Sequence, residues 1–397
     1  MTNMTGTICK AVRHLMKRFR AVFLSASAVA SVSCGPDAAV MRILAEEDRG
    51  TYGCRLIEFT VPDTCGMVEG GETLLAYLLV PDKASEEEPC PAILMLHDHG
   101  ARFDIGKEKL VSPVAGVPEH VRLSSQQWSE RYFDGAYMAD TLASMGYVVL
   151  VHDALYWGDR ASADARRWSE LSFGKESPVR SGNIGIKDSL KILKRKVFEG
   201  QKHVYDSLLS EGRLWAEKIL ADDMAAASFL SSLPFVDKDR TGAFGFSMGA
   251  HRCWLLAAFS DDVRYGAAAC WMLCKEDYDS TSVSDLSMRI PELRDRYDFP
   301  EIARFTWPKP MMFVNGAADP LFPEKSAAEA FRIIMDIYSS AASGQDAGHV
   351  PYRGGRRYGD VRTLFTDGGH HCGREVQDSV YSFFSSVVSG RDIRADK

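Results

Sequence analysis

A mostly parallel sheet covered by helices on both faces, an α/β fold, is predicted by two features of the sequence. Short continuous apolar runs of the fully buried strand type, at 92–97 and 147–152, recur along the chain. Stretches with helical periodicity separate them. A third feature is local: within 242–259 a glycine-flanked serine stands between such a run and an apolar helix.

The elements follow in order. Residues 55–61 and 74–80 alternate or run apolar like two antiparallel strands, and 92–97 (Ala-Ile-Leu-Met-Leu-His) is the first buried parallel strand. A helix around 138–145 precedes the strand 147–152, and 211–233 is helical by periodicity. Residues 240–244 have strand character, and 248–259 reads as an apolar helix without internal Pro. Beyond it, 265–271, 311–314 and 361–365 read as strands, with helices at 325–338 and 375–388. Three connections, about 99–135, 154–206 and 272–307, are longer than such units need. All leave from strand C-terminal ends, where open α/β sheets bind ligands, so they are expected to roof and wall one site within a single domain at 55–397.

A hydrophobic share of 46% against 25% charged residues excludes a disordered chain and provides for a sizeable core in 397 residues. Residues 1–33 carry Lys10, Arg13, Lys17, Arg18 and Arg20 ahead of an apolar stretch, 21–33, too short to span a bilayer. That pattern predicts a signal peptide. Ser31-Val32-Ser33-Cys34 resembles a relaxed bacterial lipobox, so Cys34 is the expected lipidation site of an exported periplasmic or outer-membrane lipoprotein, with 34–54 as a linker. Cleavage would take the net charge from −7 to −12, which argues against nucleic acid as a partner. A membrane is expected to be met only through the lipid anchor. Of nine cysteines, Cys54 and Cys65 are the local pair considered for a disulfide, while Cys253 and Cys270 read as buried free thiols.

Ser247, in Gly-Phe-Ser-Met-Gly, would sit on a tight strand-to-helix turn with its hydroxyl exposed and a helix N-terminus facing a developing oxyanion. Acyl transfer by serine also needs a base, an acid to orient it, and N–H donors. Asp319 closes Phe-Val-Asn-Gly-Ala-Ala-Asp at a strand end, and Gly-Gly-His370-His371 follows the last strand. His370 is the expected base because it follows two glycines, with His371 as the alternative. The oxyanion donors are expected to be the N–H of Met248 and that of His99 in the loop His97-Asp98-His99-Gly100. Adjacent strand residues point to opposite faces, so no metal site is expected at 97–99. Lys187, Lys191, Lys194, Arg195 and Lys196 cluster in the second long connection as a solvated helical face or an anchor for an acidic substrate such as a uronic acid. Trp157 and Trp271, near strand ends, are candidates to stack on a sugar ring.

Leu-His-Asp-His-Gly at 96–100, Gly-Phe-Ser-Met-Gly at 245–249, Asp319 followed by Pro, and Gly-Gly-His370 together resemble the α/β-hydrolase superfamily, in particular its dienelactone hydrolase and acetyl xylan esterase-like branch. Residues 102–108, Asp153 and Gly158-Asp159-Arg160 add to that resemblance. Asp98 stands where a Gly is common, and the nucleophile is Ser rather than the Cys of dienelactone hydrolases. The resemblance implies a serine esterase without a cofactor. Together with export it favours glycan esters such as acetylated xylan as substrates. A serine peptidase of the oligopeptidase type and a non-catalytic surface binding protein that keeps the fold are the alternatives.

Overall fold

The computed structural model describes residues 41–61, 72–175, 177, 185–279, 281, 286–342 and 360–390. The expected signal peptide, Cys34 and Cys65 lie outside them. The strands are β1 (Arg42–Asp48), β2 (Tyr52–Val61), β3 (Glu72–Pro81), β4 (Cys90–Leu96), β5 (Val148–His152), β6 (Val236–Phe246), β7 (Tyr265–Ala269), β8 (Met311–Gly316) and β9 (Val361–Thr366). They form one sheet in the order β1-β2-β3-β5-β4-β6-β7-β8-β9. The first three and the β3/β5 pair are antiparallel, and every pair from β5/β4 onward is parallel. Parallel neighbours need crossovers, and helices supply them.

Helices α1 (Glu119–Tyr132) and α2 (Met138–Ser144) follow β4, and α3 (Ala163–Phe173), α4 (Ile186–Ser210) and α5 (Trp215–Ser232) lie between β5 and β6. Helix α6 (Met248–Phe259) follows β6. The short α7 (Lys275–Tyr278), α8 (Pro291–Arg296) and α9 (Ala303–Thr306) precede β8, then come α10 (Glu324–Ala342) and α11 (Arg374–Ser389). None of the described helices is long and apolar enough to cross a membrane.

The continuous apolar runs are explained by cores on both sheet faces. Along β4, Leu94 and Leu96 enter one cluster with Trp215, Trp254 and Trp271, whereas Ile93 and Met95 enter the other with Leu142, Phe383 and Phe384. With side chains alternating at period two, each residue meets a buried face.

Several elements differ from expectation, among them β1, α1, α3 and the short helices α7 to α9. Strand β1 occupies part of the stretch expected to be linker. It is an edge strand with Ile43 and Leu44 exposed, held by the ion pairs Arg42–Glu58 and Arg55–Glu46, so it lacks the apolar alternation that marks a half-buried strand. Helix α1 forms within 99–135, where no helix is expected; its polar sequence buries Trp128 among serines. The described cysteines Cys54, Cys90, Cys253, Cys270, Cys274 and Cys372 are all buried.

Candidate active site

Strand β6 ends at Phe246 and α6 begins at Met248, so Ser247 alone makes the turn. It does so at φ 55° and ψ −121°, a region that costs a residue with a Cβ about 1–3 kcal/mol. The backbone is fastened there: the Ser247 N–H donates to the Ala269 carbonyl of β7 at 2.8 Å. The flanking glycines are there for close approach rather than for a left-handed φ. A Cβ on Gly245 would overlap the Gly249 carbonyl, and one on Gly249 would overlap the Leu96 carbonyl at the end of β4.

Two loops converge on this serine. His370, after β9, places Nε2 2.9 Å from Ser247 Oγ and Nδ1 2.7 Å from Asp319 Oδ2, after β8. The Asp319 side chain is fully buried, and its other oxygen accepts from the Leu321 N–H at 2.8 Å. The imidazole lies between Phe246 and Phe322, with ring centroids at 5.0 and 5.8 Å. His371 turns the other way, its Nε2 3.2 Å from Asp134 Oδ1 on the partly exposed outer side. The reason given by the sequence for preferring His370 needs correction. Gly368 and Gly369 are not among the residues with positive φ. What the loop requires is room: the Gly368 carbonyl accepts from the Ala318 N–H at 3.0 Å, and a Cβ on Gly316 would overlap the carbonyls of Gly368 and Gly369.

Met248 is the first residue of α6, where an N–H has no intrahelical acceptor. The loop carrying His99 is braced from below. Lys109, fully buried, donates to the carbonyls of Asp98 at 2.6 Å and His99 at 3.0 Å. His97 accepts from the Ala154 N–H on Nε2 at 3.0 Å, so its proton is on Nδ1, which donates to the same Asp98 carbonyl at 2.9 Å. Burial, aided by the nearby Arg252 and Lys109, holds the His97 pKa well below its usual value and keeps the ring neutral. A trans peptide directs its C=O and N–H oppositely, so fixing the Asp98 carbonyl also fixes the direction of the His99 N–H. Asp98, the unusual residue of the loop, has a structural use: its carboxylate accepts from Trp128 Nε1 at 3.1 Å and faces Lys109 at 3.3 Å. His99 itself accepts from the Ala101 N–H on Nδ1 at 2.9 Å and meets the Gln201 amide of α4 at 3.3 Å through Nε2.

Trp157 and Trp271 are corrected by their burial, 0% and 1% exposed. Neither offers a free ring face to a sugar. Trp157 is another brace, donating from Nε1 to the His99 carbonyl at 3.2 Å. Trp271 is packed against His251 and Phe299, with centroids at 4.8 and 4.9 Å.

Residues 102–108 and 153–160 meet in a buried ionic network. Lys107 Nζ lies 2.8 Å from both Asp153 Oδ2 and Glu108 Oε1 and also pairs with Asp159. Cβ atoms on Gly106 or Gly158 would overlap the Asp153 carboxylate, which accounts for both glycines. Sequence reasoning missed a second buried group. Arg252 of α6 grips Asp223 of α5 through Nε at 2.9 Å and Nη2 at 2.6 Å, with His152 Nε2 2.9 Å from the same carboxylate. Breaking such a pair typically costs about 3–5 kcal/mol. The available signal was the charged residues inside two largely apolar helices, Asp223 beside Asp222 in α5 and Arg252 in α6. Among the described residues, no group of three or more His, Cys, Asp or Glu is placed to hold a metal ion.

No family model matches the chain. A Bacillus subtilis (strain 168) protein named "Putative hydrolase YtaP" is 22% identical over 279 residues, which is 68% of this chain and 74% of that one. Among solved structures, a "putative acetyl xylan esterase" from Bacteroides fragilis superposes with a TM-score of 0.55 at 15% identity, over 83% of this chain and 70% of that chain. A glucuronoyl esterase from Solibacter usitatus gives 0.53 at 13% identity, over 90% and 88%. The fold is the α/β-hydrolase fold. On this α/β-hydrolase sheet, Ser247, Asp319 and His370 all stand at C-terminal strand ends, after β6, β8 and β9.

Proposed function

We propose that the chain is a serine hydrolase of carboxylic esters, with Ser247 as nucleophile, His370 as general base and Asp319 as its orienting acid. The observation that carries this reading is the unbroken hydrogen-bonded series from Ser247 Oγ through both ring nitrogens of His370 to the buried Asp319. A neutral imidazole can accept the serine proton as Oγ attacks the ester carbonyl; the imidazolium is then stabilised by Asp319 and returns the proton to the leaving alcohol. The N–H groups of Met248 and His99 are the proposed oxyanion donors. Water repeats the cycle on the acyl-enzyme.

Acyl esters of carbohydrate, such as acetylated xylan, are the proposed substrates. Support comes from the resemblance of the motifs and from two solved neighbours named as acetyl xylan and glucuronoyl esterases, which at this identity speak for the fold. The direct test is labelling with a fluorophosphonate probe followed by peptide mapping. Wild type should carry the adduct on Ser247. Ser247→Ala should carry none and should lose about four to six orders of magnitude in ester turnover. An unlabelled wild type would favour the binding-protein reading.

A further inference from the structure

We infer that the ester substrate is borne on a carboxylate-rich glycan, a polyuronate, which runs along α4 and docks an acidic sugar against Arg289. This rests on the ester-hydrolase reading of Ser247 for the word ester, but the anion site stands on separate observations.

A cleft of about 450 Å³ opens between α4 and the segment preceding β8, and its charged lining consists of the cations Lys275, Arg289 and Arg294 and the carboxylates Asp279 and Asp295. Its cations are not equivalent. Arg294 is already engaged, stacked 3.9 Å over the Tyr278 ring and 3.7 Å from Asp279. Lys275 donates to the Arg294 carbonyl at 3.4 Å. The half-buried Arg289 guanidinium has no hydrogen-bonding or ion-pair partner among the described residues. A planar guanidinium in a cleft, bonded to no carboxylate among the described residues although Asp295 lines the same cleft, is matched in shape and charge by a ligand carboxylate.

The cleft does not include Ser247, but it adjoins the oxyanion side at two places. Ser287 Oγ contacts Met248 Sδ at 3.6 Å, and Arg289 follows two residues later, no more than about 7 Å between α-carbons. On α4, Gln201 meets His99 and Tyr205, one turn on, lines the cleft.

The rest of α4 indicates a polymer rather than a small acid. Lys187, Lys191, Lys194, Phe198 and Tyr205 are spaced by four, three, four and seven residues, which puts them on one stripe. From Lys187 to Tyr205 the stripe is roughly 27 Å long. Lys187 and Lys194 are exposed and have no ion pair among the described residues, and Phe198 is 42% exposed. With a net charge of −7 the chain as a whole repels anions, so unpaired cations lined up toward one cleft mark where an anion is drawn in.

The test is calorimetric binding of an unesterified oligogalacturonate and of a neutral xylo-oligosaccharide of equal length to the full chain. At low salt, wild type should bind the acidic oligomer at least about tenfold more tightly than the neutral one, and added NaCl should erode the difference. Arg289→Gln should remove about tenfold of that affinity, Arg289→Lys should recover only part of it because an ammonium keeps the charge without the planar fork, and Lys187→Gln with Lys194→Gln should flatten the salt dependence. Equal binding of the two oligomers, or an Arg289→Gln variant with wild-type circular dichroism and undiminished binding, overturns the proposal. Failure of the hydrolase reading is distinguishable, since it would appear as an unlabelled Ser247 in a protein that still binds the acidic oligomer through Arg289.

Discussion

His370 and His371 differ by one position in sequence and by their direction in space. The first lies between two phenylalanine rings against Ser247, the second against Asp134 on the outer side. His370→Ala should therefore abolish ester turnover, while His371→Ala should keep it within about fivefold, because losing a partly exposed contact with Asp134 costs at most about 1 kcal/mol. Steady-state kinetics on a small activated ester decides this, and a dead His371 variant beside an active His370 variant would reverse the roles. At this scale the placement of Ser247, Asp319 and His370 was legible, since each sits in a short motif tied to a strand end. The fates of Trp157 and Trp271 were not. Whether a tryptophan near a strand end is a sugar platform or a brace depends on partners distant in sequence, such as the His99 carbonyl.

Helix α6 was legible with its bounds, Met248–Phe259, because a serine turn starts it and an uninterrupted apolar sequence sustains it. Its polar exceptions were not legible. His251 is fully buried, with ring centroids 4.5 Å from Trp254 and 4.8 Å from Trp271, and burial pushes its pKa down to about 3. A histidine depressed in the folded state gives full stability above its unfolded value near 6.5, and that stability is lost as pH falls toward 3. Between pH 7 and pH 4, wild type should lose on the order of 2–3 kcal/mol more than His251→Phe, measured by denaturant unfolding at each pH. Parallel slopes for the two proteins would remove His251 as the cause. Strand β1 escaped the sequence for the opposite reason: an edge strand facing solvent carries little hydrophobic signal.

For the whole molecule, the alternation of apolar runs and helical stretches made the parallel half of the sheet legible. The β5-β4 reversal was not, because strand order is set by crossovers and leaves no mark on local periodicity. The proposed export belongs to this scale too. If Cys34 carries a lipid, the full-length protein should partition into the detergent phase and Cys34→Ser should remain in the aqueous phase; identical fractionation would remove the anchor and leave the enzymology untouched. A consequence of the buried cysteines also emerges. Burial raises the thiols of Cys54, Cys270 and Cys274 to about 12, and those of Cys253 and Cys372 are raised as well. Only the thiolate reacts at an appreciable rate, so these sulfurs should be alkylated slowly while the fold is closed. They act as a built-in clock. The rate at which an alkylating reagent marks each one reports how often that part of the fold opens, residue by residue, without any engineered label.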